Sequence, residues 1–373
     1  MDPRNAVSGN FSLDELSHTY SVVEFLEAIS EIALENIDED VLGMDPRDML
    51  IAFSFLVGLG LLGLVGNVFS VIVWSRRQLK SSSAILLIAL AASDVCIIFG
   101  QVVWQFLALL VLNYRTPTLM YIYHNTFPYL VLVMINVFLI ADTASVYLTV
   151  VITVERYIAV CHPFKYQELC SFSKAYMSTV AVIVFSILFN MIEFWAMEVQ
   201  PHYHKESNET TYHIHDTELG ADPQFKLIYE GYIFLIIMYI LPLTSISLFN
   251  VAMCRQLTKK KQERELTDIQ QKEKKLTLML VYVIVEFAVC TAVVGFITFC
   301  IVLDVSRFDV GFDLFWCAPL MYFSRVLNSS INFVTYFSFG GPFRRTLLDM
   351  FGCRMDVREK QKRQSSFTQE ATV

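Results

Sequence analysis

Apolar residues fall along this chain in seven runs, at about 49–75, 83–112, 128–160, 175–198, 228–256, 275–303 and 312–339. Each is close to the roughly 20 residues that a helix needs to cross the hydrocarbon core of a bilayer. The pattern predicts an all-α membrane protein, a seven-transmembrane helix bundle over 49–339. Gly341-Pro342 then breaks the last run, and Phe343 to Phe351 is a basic amphipathic stretch. It predicts a short amphipathic eighth helix over 340–353 that lies on the membrane surface, with Cys353 a candidate for palmitoylation. Residues 354–373 read as a cytoplasmic tail, with Ser365, Ser366 and Thr368 open to phosphorylation. Residues 1–48 form an acidic N-terminal tail, either partly helical through Leu16, Tyr20, Val23, Ile29 and Ile32 or without fixed structure.

Composition agrees with the pattern. The chain is 55% hydrophobic with mean hydropathy +0.51, against about 45–50% apolar residues in soluble domains. The net charge of -8 matters less than its distribution. Basic residues collect in three connections: Arg76, Arg77 and Lys80 after the first run, Lys165 and Lys174 after the third, and Arg255 to Lys275 after the fifth. Excess Lys and Arg marks cytoplasmic loops, which puts the N-terminus outside. Two glycosylation sequons, at Asn10 and Asn208, fall on that outer side. A third, Asn328-Ser-Ser330, lies inside the seventh run and is not expected to be modified. The N-terminus lacks a basic region followed by a short apolar core, so the first run is expected to start insertion itself. The eight cysteines have no metal or haem spacing and form no disulfide framework, although a Cys300–Cys317 pair stays open.

Ionisable groups at membrane depth are costly and each needs a partner or a function. Asp94 lies in the second run, Asp142 in the third, Glu286 in the sixth and Arg325 in the seventh. Asp142 is the first choice of counter-ion for Arg325 and Glu286 the second. Asp142 and Ser145 share a helix face, as do Asn328 and Asn332. Carboxylate, hydroxyl and amide oxygens together would suit a hard monovalent cation, and would equally serve as hydrogen bonds that hold helices together. At the foot of the third run Glu155-Arg156-Tyr157 arrives at one membrane face, where an arginine either anchors at the interface or takes a partner. Histidines 202, 204, 213 and 215 cluster in an outer segment, consistent with a loose metal site or a solvated loop.

These residues, in this order, resemble the rhodopsin-like (class A) G protein-coupled receptors. The motifs are Gly66-Asn67-Val68, Leu90-Ala-Ala-Ser-Asp94, Glu155-Arg156-Tyr157, Pro242, Phe287-x-x-Cys290 and Asn332-Phe-Val-Thr-Tyr336 followed by Phe343. Within that family Ser145 to Pro163, Leu241-Pro-Leu-Thr244, Phe249-Asn250 and Asn328-Ser-Ser-Ile-Asn332 are similar to the FMRFamide-type neuropeptide receptors of invertebrates. The resemblance implies roles residue by residue. Asp94, Ser145, Asn328 and Asn332 match sodium-binding positions. Glu155, Arg156, Tyr157, Glu273 and Tyr336 match the G protein-coupling switch, with Glu273 the acid that locks the arginine. Trp104, Phe138, Asp142, Thr298, Tyr322 and Arg325 match positions facing the ligand cavity.

The chain also departs from the family. No cysteine stands between Cys96 and Cys161, or between Cys170 and Cys254, so the usual disulfide from the third helix to the second outer loop cannot form. Thr291 and Val293 replace the sixth-helix Trp and Pro, Phe333 replaces the seventh-helix Pro, and Asn250 replaces a tyrosine in the fifth, leaving Gly295 as a candidate hinge. The implied function is a multi-pass plasma-membrane receptor for an extracellular peptide. An acidic outer face with Glu198, Glu230, Asp304, Asp309 and Asp313 would attract a cationic Arg-Phe-amide. Implied partners are a heterotrimeric G protein, arrestin, a receptor kinase and membrane lipid, with no nucleic acid and no cofactor beyond a sodium ion. The competing readings are a chemosensory or other receptor for a non-peptide ligand, and an ion-coupled transporter, which would be expected to show repeats or helices broken at mid-membrane. No HExxH or GxSxG motif suggests an enzyme.

Overall fold

The computed structural model describes residues 46–114, 116–204, 209–260, 268–302 and 314–352. Asn10, Asn208, Asp304, Asp309, Asp313, Cys353 and most of both expected tails lie outside the described residues, as does the side chain of Glu273. The long helices are α1 (Pro46–Trp74), α2 (Ser82–Tyr114), α3 (Phe127–Cys161), α4 (Phe172–Asn190), α5 (Leu241–Lys260), α6 (Asp268–Val302) and α7 (Leu314–Phe339), followed by the short α8 (Gly341–Met350). Two π-wound segments, Lys226–Ile233 and Ile236–Ile240, lead into α5. The winding becomes regular around Pro242, whose missing N–H breaks the hydrogen-bond ladder there.

Among the described residues, six spans, from α1 to α6, are long and apolar enough to cross a membrane. The 26-residue α7 is interrupted by Arg325, Asn328, Ser329, Ser330 and Asn332. Ser329, Ser330 and Asn332 of that row are buried, so the helix turns its polar stripe into the bundle. The outer surface is the reverse: Phe55, Leu62, Val133, Leu188, Leu248 and Val289 are exposed, as side chains facing lipid must be. Where helices meet, small and polar residues do the packing. The buried stripe of α4 is Ala175, Thr179, Val182, Ser186 and Asn190, and the Asn190 amide donates to Thr143 of α3 at 2.9 Å.

Helices α1 and α7 approach closely enough that two positions tolerate no side chain. A Cβ on Gly63 would lie 2.6 Å from Ser330 Cβ, and one on Gly66 would lie 2.8 Å from Phe333 Cβ. Phe333, at the position where the family has proline, therefore packs into space that Gly66 leaves open. Below it, Trp74, Tyr336 and Phe343 stack with ring centroids 5.4–5.7 Å apart, which seats α8 beneath α1 and α7. Phe343 is fully buried while Arg344 and Arg345 are exposed, as expected of an amphipathic helix on a membrane surface.

At the opposite end the pattern misled. The fourth run was expected to stay helical to 198, but α4 stops at Asn190, and a 3-10 segment, Met191–Trp195, leads into strand β1 (Met197–His204). It pairs antiparallel with β2 (Glu209–Asp216), from Met197↔Asp216 to His204↔Glu209. One face of this hairpin buries Met197 and Ile214 against Phe127 and Val131 of α3. Asp216 pairs with Lys226 at 2.7 Å, and the Thr217 hydroxyl donates to Trp195 O at 2.7 Å. Cys96, Cys161, Cys170, Cys254, Cys290 and Cys300 form no disulfide, and apolar packing together with these polar contacts holds the hairpin down. Two short helices, Pro117–Asn125 before α3 and Pro163–Leu169 after it, complete the connections.

Gly63→Ala should force α1 away from α7 and destabilise the protein by about 1–3 kcal/mol, the usual cost of overpacking. Thermal unfolding of the purified protein measures this, and an unchanged midpoint would contradict the close contact.

Candidate functional site

Three polar sites lie along the axis of the bundle. The first is below the hairpin, where Arg325 projects from the middle of α7. Its Nη1 pairs with Asp142 Oδ2 of α3, its Nη2 donates to Tyr239 Oη at 2.9 Å, and its Cζ lies 5.4 Å from the Phe138 ring centroid. The two charged side chains are only 13% and 15% exposed. A buried guanidinium with a carboxylate, a phenol and an aromatic face is well compensated. Tyr239 reaches this position from the π-wound segment before α5. The α6 helix admits it because Gly295 has no side chain: a Cβ there would lie 3.0 Å from Tyr239 Cβ. Gly295, the candidate hinge, is thus also a close-packing position. Tyr322, one turn before Arg325, has a buried hydroxyl with no hydrogen-bond partner among the described residues. Trp104 stacks near Phe127 at 5.4 Å under the hairpin, and Thr298 donates to its own helix at Val294 O.

The second site is mid-bundle. Asp94 is fully buried and accepts from Ser145 at 3.1 Å and from Asn332 at 2.9 Å, joining α2, α3 and α7. Among the described residues no hydrogen bond joins Asn328 to Asp94. Instead Ser329 O, the next carbonyl on α7, accepts from Asn67 of α1 at 2.7 Å. Glu286 of α6 accepts from Thr335 at 3.3 Å, one turn below Asn332. Several acceptor oxygens here, Asn67 Oδ1, Glu286 Oε1 and Ser330 Oγ, are buried without a partner among the described residues. Oxygen atoms of this kind, carboxylate, amide and hydroxyl, are the donors that a hard cation takes.

The third site is at the α8 end. Glu155 Oε1 is crowded by three hydroxyl donors, Ser82, Ser83 at 3.0 Å and Tyr166 at 3.1 Å. Arg156 Nη2 lies 3.5 Å from the same oxygen, but neither Nη2 nor Nε has a hydrogen-bond partner among the described residues. The arginine is 4% exposed. Tyr157 turns away toward Phe249 at 5.0 Å, and Tyr336 is buried against Trp74 and Phe343.

Sequence reasoning named Asp142 and Arg325 as partners but missed Tyr239, whose position depends on π winding that no periodicity reveals. It also paired Glu155 with Arg156 alone. The run Ser81-Ser82-Ser83 was the available signal for the hydroxyls that share Glu155.

Comparison with known proteins agrees with this geometry. Residues 66–336 match the 7 transmembrane receptor (rhodopsin family), and the chain belongs to that family. It is 29% identical over 293 residues to the FMRFamide receptor of Drosophila melanogaster, covering 78% of this chain and 52% of the relative. The chain thus spans about half the length of that receptor. It is also 29% identical over 326 residues to an FMRFamide peptide receptor, frpr-18, of Caenorhabditis elegans, covering 80% of this chain and 68% of the relative. The thyrotropin-releasing hormone receptor of Bos taurus is 25% identical over 340 residues, at 80% and 77% coverage.

Asp142→Ala should leave Arg325 buried without its counter-ion and cost about 3–5 kcal/mol. Removing both charges with Asp142→Leu and Arg325→Met should recover much of that loss. Thermal unfolding of the two variants decides it: equal losses in the single and double variants would show that the ion pair is not the source.

Proposed function

We propose that this chain is a plasma-membrane neuropeptide receptor, with its N-terminus and hairpin outside, that takes an amidated Arg-Phe type peptide and activates a heterotrimeric G protein. The observation that carries the reading is the Asp142–Arg325 pair, in a chain whose fly and worm relatives bear the FMRFamide receptor name. A peptide arginine entering from the hairpin end competes with Arg325 for Asp142. Phe138, Trp104 and Tyr322 offer aromatic surface to the neighbouring phenylalanine, while Thr298 faces the same cavity. Arg325 then swings away, and because it also holds Tyr239, the π-wound segment and α6 lose a tie to α7. A ligand that binds the released arrangement better shifts the population by that difference in affinity.

At the other end, Arg156 has hydrogen-bonding capacity to spare, which suits backbone carbonyls of a G protein tail. Glu273, in α6, locks Arg156 in the resting state on this reading. Sodium at Asp94, Ser145, Asn328 and Asn332 would stabilise that state. Glycans at Asn10 and Asn208 and a palmitoyl group on Cys353 complete the proposal, with phosphorylation of the tail recruiting arrestin.

The reading is tested by screening amidated peptides on cells that display the receptor, following both calcium and cyclic AMP. An Arg-Phe-amide should respond. Asp142→Asn should then weaken it by about 1.5–3 kcal/mol, roughly a 10- to 100-fold rise in half-maximal concentration. Silence of all such peptides at a correctly displayed receptor refutes the ligand class. Arg156→Ala should abolish G protein activation while peptide binding stays within about threefold, since changes at distant sites with no shared partners act nearly independently. Unchanged signalling would remove the arginine from the switch.

A further inference from the structure

We propose that the cleft between the end of α1 and α8 binds the headgroup of an anionic aminophospholipid, phosphatidylserine or a lipid with the same pattern of charges. The cleft has a volume of about 650 Å³, and its polar lining is Ser75, Arg76, Arg77, Gln78, Thr346 and Asp349. Arg76 and Arg77 follow the last turn of α1 and are exposed. The ion pairs among the described residues are Glu155–Arg156, Asp216–Lys226 and Asp142–Arg325, so both arginines lack a carboxylate partner and Asp349 lacks a cationic one. Two guanidinium groups and one carboxylate therefore line a single cleft. The phosphatidylserine headgroup carries the reverse set, a phosphate and a carboxylate with one ammonium. Guanidinium takes phosphate and carboxylate in bidentate geometry, which leaves Asp349 for the ammonium. The hydroxyls of the lining agree. Ser75 Oγ donates to Val71 O at 2.6 Å and Thr346 Oγ1 donates to Pro342 O at 3.0 Å, so each oxygen has only acceptor capacity left. A headgroup of phosphates alone would set its charge against Asp349 and bring no ammonium to those acceptors.

A lipid fits better than a free anion because apolar surface begins where the charged groups end. Val65, Val68 and Ile72 recur at helical spacing along α1 toward Arg76, and all three are exposed. Met350 supplies the apolar part of the lining from α8, and Phe351 after it meets Phe69 of α1 edge-on at 5.6 Å. Acyl chains leaving a headgroup in the cleft thus have α1 to run along. An amphipathic helix such as α8 lies at headgroup level, where arginines attract anionic lipid, and the exposed Arg344 and Arg345 add to that field. A bound headgroup would bridge the arginines after α1 to Asp349 of α8, beside the stack of Trp74 on Phe343 that already joins the two helices. That the cleft meets the cytoplasmic leaflet rests on the orientation proposed above, whereas binding of the lipid does not.

The test uses full-length protein in uncharged detergent micelles, with native mass spectrometry following the first lipid bound as dioleoyl phosphatidylserine or dioleoyl phosphatidylglycerol is added. Phosphatidylserine should bind about three- to fivefold more tightly than phosphatidylglycerol, which has the same net charge without the ammonium and carboxylate. Arg76→Gln combined with Arg77→Gln, both at exposed positions, should weaken phosphatidylserine by roughly 10- to 30-fold. Asp349→Asn, also exposed, should erase the preference between the two lipids. Equal binding of the two lipids to the unsubstituted protein, unchanged phosphatidylserine binding in the arginine double variant, or a preference retained in Asp349→Asn overturns the proposal. So does a phosphatidylinositol bisphosphate that binds more tightly than phosphatidylserine and loses that advantage in the arginine double variant. Soluble glycerophosphoserine separates lipid from free anion: displacement of the lipid by an equimolar amount overturns the lipid assignment, and failure to displace it supports the acyl-chain contacts. The measurement involves no peptide and no G protein, so failure of the receptor reading leaves it intact.

Discussion

A charge placed in hydrocarbon must find its compensation within the protein, and that requirement decides which faces of α2, α3, α6 and α7 turn inward. Arg325 can sit in the middle of α7 because Asp142, Tyr239 and the Phe138 ring surround its guanidinium. Asp94 can be fully buried because hydroxyl and amide donors reach it from α3 and α7. The apolar effect that builds a soluble core has little to say about how these helices meet, since lipid is as apolar as leucine. Polar contacts and close approach through small residues set the helix rotations instead, and Gly63, Gly66 and Gly295 mark where backbones come nearest.

Compensation is uneven along the axis. At the Arg325 end the ion pair is complete and is backed by a further hydrogen bond. At the Arg156 end three hydroxyls compete for Glu155, and the arginine keeps donors to spare. The chain lacks the sixth-helix proline that kinks related bundles. Its irregular backbone lies in the π-wound segments before α5, against Gly295 of α6. Gly295 of α6 thus packs on Tyr239, which in turn accepts from Arg325 of α7.

The hairpin shows how a missing covalent tie is replaced. Met197 and Ile214 bury against Phe127 and Val131, Tyr212 stacks on Tyr129 at 5.6 Å, and Asp216 holds Lys226. Each of these is individually weaker and more readily opened than a disulfide. The hairpin is thus held by packing and polar contacts.

Seven membrane-length runs, their order of polar residues, the amphipathic stretch after Gly341-Pro342 and the pairing of Asp142 with Arg325 were all legible in the sequence. Hydrocarbon thickness and the cost of an unpaired charge act on composition and length, which a linear chain displays. Other features required the tertiary structure. The strand at Met197–His204 lay hidden at the end of an apolar run, because burial against α3 and pairing with β2 overrode local hydropathy. Tyr239 reaches Arg325 through π winding, and Phe333 fits against Gly66 through helix approach. Glu155 gathers hydroxyls from Ser82 and Tyr166, far apart in sequence. Each depends on the distance between elements and the rotation of one helix against another, which the sequence does not carry locally.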